Sequence, residues 1–101
     1  MVSQRMIQAI NSAKNYPYIV RVGVFGSYAR DEATPISDLD ILIEYDNCSD
    51  AFLDDLGNFM EDMEQLLAVE IGYVTLEGLL KSRNEELKRE VLRDVKWVYT
   101  A

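Results

Sequence analysis

Apolar residues in the first half of the chain follow a helical period and then form two mainly apolar runs. The helical period predicts an N-terminal helix from four residues on one face: Val2, Met6, Ile10 and Ala13. This helix should end before Tyr16, because the proline that follows disfavours helical backbone in the residue preceding it. The mainly apolar runs over 19–25 and 39–45 predict two buried strands, with a short helix over 28–31 between them.

The second half continues the alternation of helical and strand patterns. A polar loop over 46–50 offers Ser49 or Asp50 as the cap of a long amphipathic helix. A third strand is predicted over 68–74, and a short helix over 76–80. The apolar stripe of the long helix consists of Phe52, Leu56, Phe59, Met60, Met63, Leu66 and Leu67.

The C-terminal part predicts one more helix and one more strand. Ser82 and Glu85 match the capping box, in which two side chains satisfy the free N–H groups at a helix start. The segment 97–99 predicts a small terminal strand. The buried face of the last helix is predicted to contain three residues: Leu87, Val91 and Val95.

The composition fits one soluble globular domain over 1–101. The chain has 101 residues, of which 49% are hydrophobic and 28% charged, and this length suffices for one core. We find no apolar stretch long enough for a membrane span and no signal-peptide core in the first residues. The single cysteine, Cys48, excludes an internal disulfide, which fits a reducing cytoplasm.

The charge balance and the absence of histidine narrow the possible chemistry. A formal net charge of −8 argues against a broad basic surface for nucleic acids, since such binding depends on Lys and Arg neutralising phosphates. It fits a basic protein partner or simple solubility. Without histidine, imidazole bases, His-based triads and His-ligated zinc are excluded, so a general base must be a carboxylate or another residue type.

The candidate chemistry lies between the first two predicted strands. The first strand stops at Gly26 and Ser27, and Asp38 and Asp40 lie at the start of the second strand. Residues two apart on a strand point to the same face, so the two carboxylates should face together, away from Leu39. Mg²⁺ prefers hard oxygen ligands and substrate phosphates, and backbone N–H groups at a helix start favour an anion. The pattern therefore predicts a site for a metal ion and a phosphate.

Each of these residues also has a purely structural interpretation. Asp38 would cap a turn after Ser37, and Asp40 would be an edge-strand charge that discourages aggregation. Arg30 would contact a phosphate through its guanidinium fork or pair with a nearby acid such as Glu32, and the sequence favours neither role. For the two aspartates, the glycine–serine pair beside them favours the site.

The spacing resembles the signature of the nucleotidyltransferase superfamily that includes DNA polymerase β. The likeness rests on Gly-Ser at 26–27, ten residues, and Asp-x-Asp at 38–40. Two local sequences, Gly-Ser-Tyr-Ala-Arg and Ser-Asp-Leu-Asp-Ile-Leu-Ile, are similar to those of the minimal nucleotidyltransferase (MNT) branch. The resemblance implies an α+β fold with a small mixed sheet and helices packed on it. It also implies two Mg²⁺ ions and ATP as substrate, with Gly26, Ser27 and Arg30 on the nucleotide.

In this family a third carboxylate on a later strand joins the Asp-x-Asp pair, and Glu70 matches it best. The resemblance therefore implies that Asp38, Asp40 and Glu70 are the catalytic and metal-binding residues. A buried carboxylate in an apolar strand needs a partner or a metal, whereas the alternation around Glu70 also suits an exposed edge-strand charge. The family often has aspartate at the position of Glu70, so the glutamate is one departure, and Asp31 is a second, where the family often has glycine.

The resemblance implies an enzyme that moves AMP from ATP to a hydroxyl group, such as that of a tyrosine, on a partner protein. Minimal nucleotidyltransferases are commonly the antitoxins of HEPN-type RNase toxins, in type VII-like pairs, which implies a hetero-oligomer; a homo-oligomer stays open. The alternative is a non-catalytic antitoxin or nucleotide sensor that neutralises its partner by binding. The acidic run over 54–64 is either a solvated helix face or a docking surface for that partner.

Overall fold

One four-stranded mixed sheet organises the computed structural model, which describes residues 2–46 and 51–101. The strands are β1 Ile19–Phe25, β2 Leu39–Tyr45, β3 Ile71–Thr75 and β4 Lys96–Thr100. Their order across the sheet is β3-β2-β1-β4, so β1 and β2 are interior strands. β1 runs antiparallel to β2 and β4, whereas β2 and β3 are parallel. The predicted α+β architecture and the bounds of the first two strands are confirmed.

Helices pack around this sheet throughout the described ranges. They are α1 Gln4–Ile10, a 3₁₀ helix Asn11–Asn15, α2 Gly26–Ala29, α3 Ala51–Leu66, α4 Leu76–Lys81 and α5 Glu85–Asp94. Ser3 caps α1, and the helical backbone ends before Tyr16, as predicted. The proposed α3 caps Ser49 and Asp50, like Cys48, lie outside the described residues. Among the helices described, none combines the length and apolar character needed to cross a membrane.

Helices cover both faces of the sheet, and each face has its own apolar cluster. The larger cluster joins α1 and α3 to one face of β1 and β2, and its fully buried members include Ile10, Val24, Ile41, Ile43 and Phe59. The smaller cluster, on the opposite face, is centred on Leu42, Leu79 and Val91 from β2, α4 and α5. Burying one such side chain contributes about 1.5–3 kcal/mol, so the two clusters hold β2 firmly from both sides.

β3 begins three residues later than the predicted 68–74 strand. The Leu39 N–H donates to the Glu70 carbonyl at 2.8 Å, and regular pairing with β2 starts at Ile71. Glu70 therefore precedes β3 and is exposed instead of lying inside the strand. The apolar alternation extends beyond the paired segment because Val69 still packs against the larger cluster.

The start of α5 differs from the predicted capping box. Asn84 is the N-cap and accepts the Leu87 N–H at 3.0 Å, while Ser82 Oγ accepts the Asn84 N–H at 3.1 Å. Leu87 is 37% exposed and Leu66 of α3 is 47% exposed, so their predicted burial is wrong. Leu87 lies one turn before Val91 on the same face of α5, but Val91 is buried and Leu87 is not, so the cover over this face ends between the two residues.

Candidate active site

The two predicted carboxylates lie where β2 begins, on the face of the sheet that carries α4 and α5. Leu39 and Ile41 point into the larger cluster, so strand alternation turns Asp40 to the opposite face together with Leu42. Asp38 precedes the strand and is exposed, whereas Asp40 is half-buried. Because β2 is an interior strand, Asp40 is not an edge-strand charge.

The turn that leads into Asp38 is closed by other residues. Ser37 Oγ accepts the Thr34 backbone N–H at 2.8 Å, and the Ser37 N–H donates to the Thr34 carbonyl at 3.0 Å. Ser37 therefore caps this turn, and Asp38 does not. Both purely structural interpretations of the Asp-x-Asp pair lose their basis in this geometry.

Two glycines flank the Asp40 carboxylate. A Cβ added at Gly26 would lie 2.5 Å from Asp40 Oδ2, and one at Gly72 would lie 3.4 Å from Asp40 Oδ1. Gly26 has a φ of +73°, a conformation that glycine adopts without steric cost. This lets α2, which covers 26–29 instead of the predicted 28–31, begin directly against the carboxylate. Gly72 approaches from β3 because the parallel register pairs it with Asp40.

The site concentrates negative charge. Burial raises the pKa of Asp40 above the usual value, the Asp38 charge raises it further, and the Arg30 guanidinium opposes the rise. A cation would offset this charge, since an opposite charge nearby favours the ionised form of a carboxyl. Two carboxylates that face one space fit Mg²⁺, which takes one or two carboxylates together with substrate phosphates.

Glu70, the third predicted carboxylate, lies at the rim of the site. The register pairs Leu39 with Ile71, so residue 70 is level with Asp38 and shares the face of Asp38 and Asp40 by alternation. Within 2–46 and 51–101, no three Asp, Glu, Cys or His side chains form a group that could hold a metal ion. The structure thus brings Asp38 and Asp40 together and leaves Glu70 outside a three-carboxylate cluster.

Arg30 follows α2 and forms two ion pairs. Its Nε donates to Glu32 at 3.0 Å and its Nη1 to Asp94 at 2.9 Å, while its charge still acts on Asp40. The next residue, Asp31, has a φ of 59°, which lies in the left-handed region that favours glycine. Asp31, where the family often has glycine, therefore still adopts the left-handed backbone conformation that glycine favours.

Two further residues reach the site through contacts that sequence reasoning missed. Gly72 meets Asp40 through the register of β2 and β3, and Asp94 meets Arg30 across 64 positions of the chain. Neither belongs to a local motif. The one signal for Gly72 was its spacing of two from Glu70, which places both positions on the site face of the strand.

Comparison with known proteins shows which family the chain resembles. The family described as nucleotidyltransferase domain matches residues 5–98. Two candidate protein adenylyltransferases of Methanocaldococcus jannaschii are similar to the chain, one 29% identical over 77 residues and the other 33% identical over 78. Each alignment covers 76% of this chain and 74% of the relative.

Solved structures share the fold, which is that of the polymerase β-like nucleotidyltransferases. A candidate minimal nucleotidyltransferase is 33% identical with a TM-score of 0.68, and the match covers 89% of this chain and 86% of that one. A toxin–antitoxin structure with AMP-PNP contains a chain of the same fold, 18% identical with a TM-score of 0.64, matched over 96% and 72%. Because the family match extends over nearly the whole chain, the protein belongs to the nucleotidyltransferase domain family.

Proposed function

We propose that this nucleotidyltransferase transfers AMP from ATP to a hydroxyl group of a partner protein in an Mg²⁺-dependent reaction. The observation that carries the proposal is the Asp40 carboxylate held between Gly26 and Gly72 beside Asp38. This arrangement concentrates negative charge at the start of α2, where Gly26 has no side chain to obstruct a ligand. The M. jannaschii relatives, which are candidate protein adenylyltransferases, support a protein acceptor.

The chain's own residues would position the nucleotide. Asp38 and Asp40 would hold Mg²⁺, which when bound offsets charge on the phosphate oxygens. The Gly26 N–H and the Ser27 hydroxyl would bind the β- and γ-phosphates, and Arg30 would add a guanidinium fork. Two carboxylates suffice for one ion, and a second ion would draw on Glu70. Positioning and electrostatic stabilisation supply most of the catalysis in phosphoryl transfer, and we extend this to nucleotidyl transfer.

The bond changes follow from this placement. The acceptor hydroxyl oxygen attacks the α-phosphorus and forms a new phosphate ester, while the bond to the bridging oxygen of the β-phosphate breaks and pyrophosphate leaves. The hydroxyl proton needs a base, and the chain has no histidine. Glu70 at the rim, level with Asp38, is the carboxylate we assign to this proton transfer when it does not bind a second ion.

We propose a HEPN-type toxin as the partner and a tyrosine as the residue that receives AMP. A toxin–antitoxin structure with AMP-PNP has the same fold as this chain, and a net charge of −8 suits a basic partner. Modification of the toxin would then be the antitoxin activity of the chain.

A second function has its own supporting observation. Within the described ranges no three-carboxylate metal group forms, and Glu70 is exposed outside β3. A chain with this site would bind the nucleotide as a sensor and neutralise the partner by binding alone. The two functions differ in whether the partner becomes labelled.

The test uses ATP labelled at the α-phosphate, Mg²⁺ and the protein encoded beside this one in the genome. We expect label on the partner from α-labelled ATP and none from γ-labelled ATP, because pyrophosphate leaves. Asp38→Asn and Asp40→Asn should abolish labelling while circular dichroism shows an intact fold. Wild-type labelling by either variant would refute the role of the two carboxylates, and tight partner binding without label would support the sensor.

A further inference from the structure

The ion pairs of Arg30 join two distant parts of the chain at the site. The Nε–Glu32 bond stays within the loop after α2, whereas the Nη1–Asp94 bond connects this loop to the last residue of α5. α5 also contacts α2 directly. The guanidinium is therefore anchored to a helix that lies far away in the sequence from the loop that carries it.

The two acids that pair with Arg30 differ in burial and support. The Asp94 side chain is 9% exposed and accepts a second bond, from Arg93 Nε at 3.0 Å. The Glu32 side chain is 65% exposed. A mostly covered carboxylate that accepts bonds from two charged donors has less freedom to move than an exposed surface pair, which is weak and exchanges readily with water or other ligands.

The guanidinium has donors to spare while it is held by Asp94. Arginine carries five N–H donors in a rigid planar fork, and the two bonds described use one on Nη1 and one on Nε. Loss of the Glu32 bond alone would expose one edge of the fork and leave the Asp94 contact intact. That edge would then be open to a phosphate, which arginine binds in bidentate fashion.

We propose that Asp94 is a positioning residue that holds the Arg30 guanidinium at the Asp38–Asp40 site for a nucleotide phosphate, and that Glu32 occupies the edge of the guanidinium that the phosphate takes over. The proposal rests on the proposed function, because it needs a nucleotide at this site. It adds that the two carboxylates bound to Arg30 act in opposite directions on nucleotide affinity.

The opposite signs make the proposal testable. Glu32→Gln and Asp94→Asn each remove one negative charge near an anionic ligand, so charge alone predicts tighter binding in both. We expect Glu32→Gln to tighten binding of Mg²⁺–AMP-PNP about two- to fivefold and Asp94→Asn to weaken it about tenfold, the size of a lost charge-assisted hydrogen bond. Isothermal titration calorimetry of the full chain gives both dissociation constants.

Measurements in an Arg30→Ala background distinguish an effect of Asp94 through Arg30 from a purely structural effect of Asp94 on the fold. If Asp94 acts through Arg30, Asp94→Asn should cause no further loss of affinity there, and Asp94→Glu should retain part of the wild-type affinity. Thermal unfolding of each variant shows whether the fold is intact. Tighter binding by Asp94→Asn, or the same tenfold loss in the Arg30→Ala background, would overturn the positioning role.

Failure of the proposed function gives a different result. If the wild-type chain binds Mg²⁺–AMP-PNP but labels no partner, the transfer reaction is refuted and the affinity comparison still decides the role of Asp94. If the wild-type chain does not bind the nucleotide, the proposed function and the positioning role both fall. If it binds and the two variants shift affinity in the same direction, only the positioning role falls.

Discussion

At the scale of single residues, the site depends on side chains that are missing at positions 26 and 72. Both glycines face the Asp40 carboxylate, but they do so under different constraints. Gly26 combines a left-handed backbone with a 2.5 Å approach, whereas Gly72 has only an ordinary contact distance of 3.4 Å. Position 26 should therefore tolerate no side chain, and position 72 should accept a small one.

Gly26→Ala should lower the free energy of unfolding by about 1–3 kcal/mol, because alanine is strained in the left-handed region and its methyl group would displace Asp40. Gly72→Ala is the matched control and should change it by less than about 1 kcal/mol. Urea unfolding measures both variants, and nucleotide binding should be lost only in the first. Equal destabilisation of the two would contradict this account of the glycines.

Asp40 should reduce stability in the absence of metal. Burial and Asp38 raise the pKa of Asp40 in the folded chain. At a pH above this folded pKa, the ionised Asp40 carboxylate therefore lowers the free energy of unfolding. This penalty fades as the pH falls towards the ordinary aspartate pKa of about 4. Asp40→Asn should therefore melt at a higher temperature than wild type near pH 7 in chelator, by a margin that shrinks as the pH falls. A margin that grows on acidification would be inconsistent with the raised pKa.

At the scale of elements, the bounds of the interior strands could be predicted from sequence, whereas the start of the edge strand β3 could not. The other edge strand, β4, was predicted over 97–99 and spans Lys96–Thr100. β1 and β2 are covered on both faces, so their apolar runs begin and end where the strands do. β3 is an edge strand whose pattern continues past its paired residues, and this obscured the position of Glu70.

The candidate site divides in the same way as the strands. Gly26, Asp38 and Asp40 lie in one local motif and were identified from their spacing. Gly72 and Asp94 reach the site only through strand register and helix packing, so no local pattern records their role. Asp94 in particular depends on where α5 ends, and the predicted helix included Val95, which is the C-cap that follows Asp94.

The end of α2 allows a test of the left-handed residue that follows Arg30. Asp31→Gly and Asp31→Ala remove the same carboxylate, so their difference isolates the backbone. Because Asp31 has a φ of 59°, the glycine variant should unfold at higher urea and be more stable than the alanine variant by about 1 kcal/mol. Indistinguishable midpoints would mean that the turn adopts another conformation in solution.

The packing of α3 against the N-terminal segment depends partly on one pH-sensitive hydrogen bond. The Tyr16 hydroxyl donates to Asp62, and this bond raises the pKa of Tyr16 from 10.0 to about 12. A tyrosine whose pKa is higher in the folded chain stabilises it below the unfolded pKa, and this contribution is lost as the pH rises through the folded value.

Tyr16→Phe should therefore be less stable than wild type at neutral pH, and the difference between their urea midpoints should narrow once the pH exceeds 10.0, the ordinary tyrosine value. In an Asp62→Asn background the pH-dependent part of this difference should shrink, because the largest cause of the raised Tyr16 pKa is gone, while burial and the charges of Asp55 and Glu61 remain. A difference that stays constant through the alkaline range would rule out this bond as its source.

At the scale of the whole molecule, the negative charge is unevenly spread. The chain has 18 acidic and 10 basic residues. α3 contains five acidic residues and no basic one, whereas α5 contains four acidic and three basic residues. The field of the protein is therefore more negative beside α3 than beside α5, and a basic partner would be drawn towards the α3 side at low salt.

This asymmetry predicts how association with the partner depends on salt. The association rate should fall about tenfold or more as salt rises from ~20 to ~200 mM. The added salt shortens the Debye length and screens the attraction between the acidic surface and the partner. Neutralising Asp54, Glu61 and Glu64 of α3 should remove most of this dependence, whereas neutralising Glu85, Glu86 and Glu90 of α5 should leave it largely in place. All six are exposed, and each set removes three charges, so stopped-flow rates compare location at constant net charge. Equal effects of the two sets would show that the partner responds to total charge, and the acidic face of α3 would then have no special part in docking.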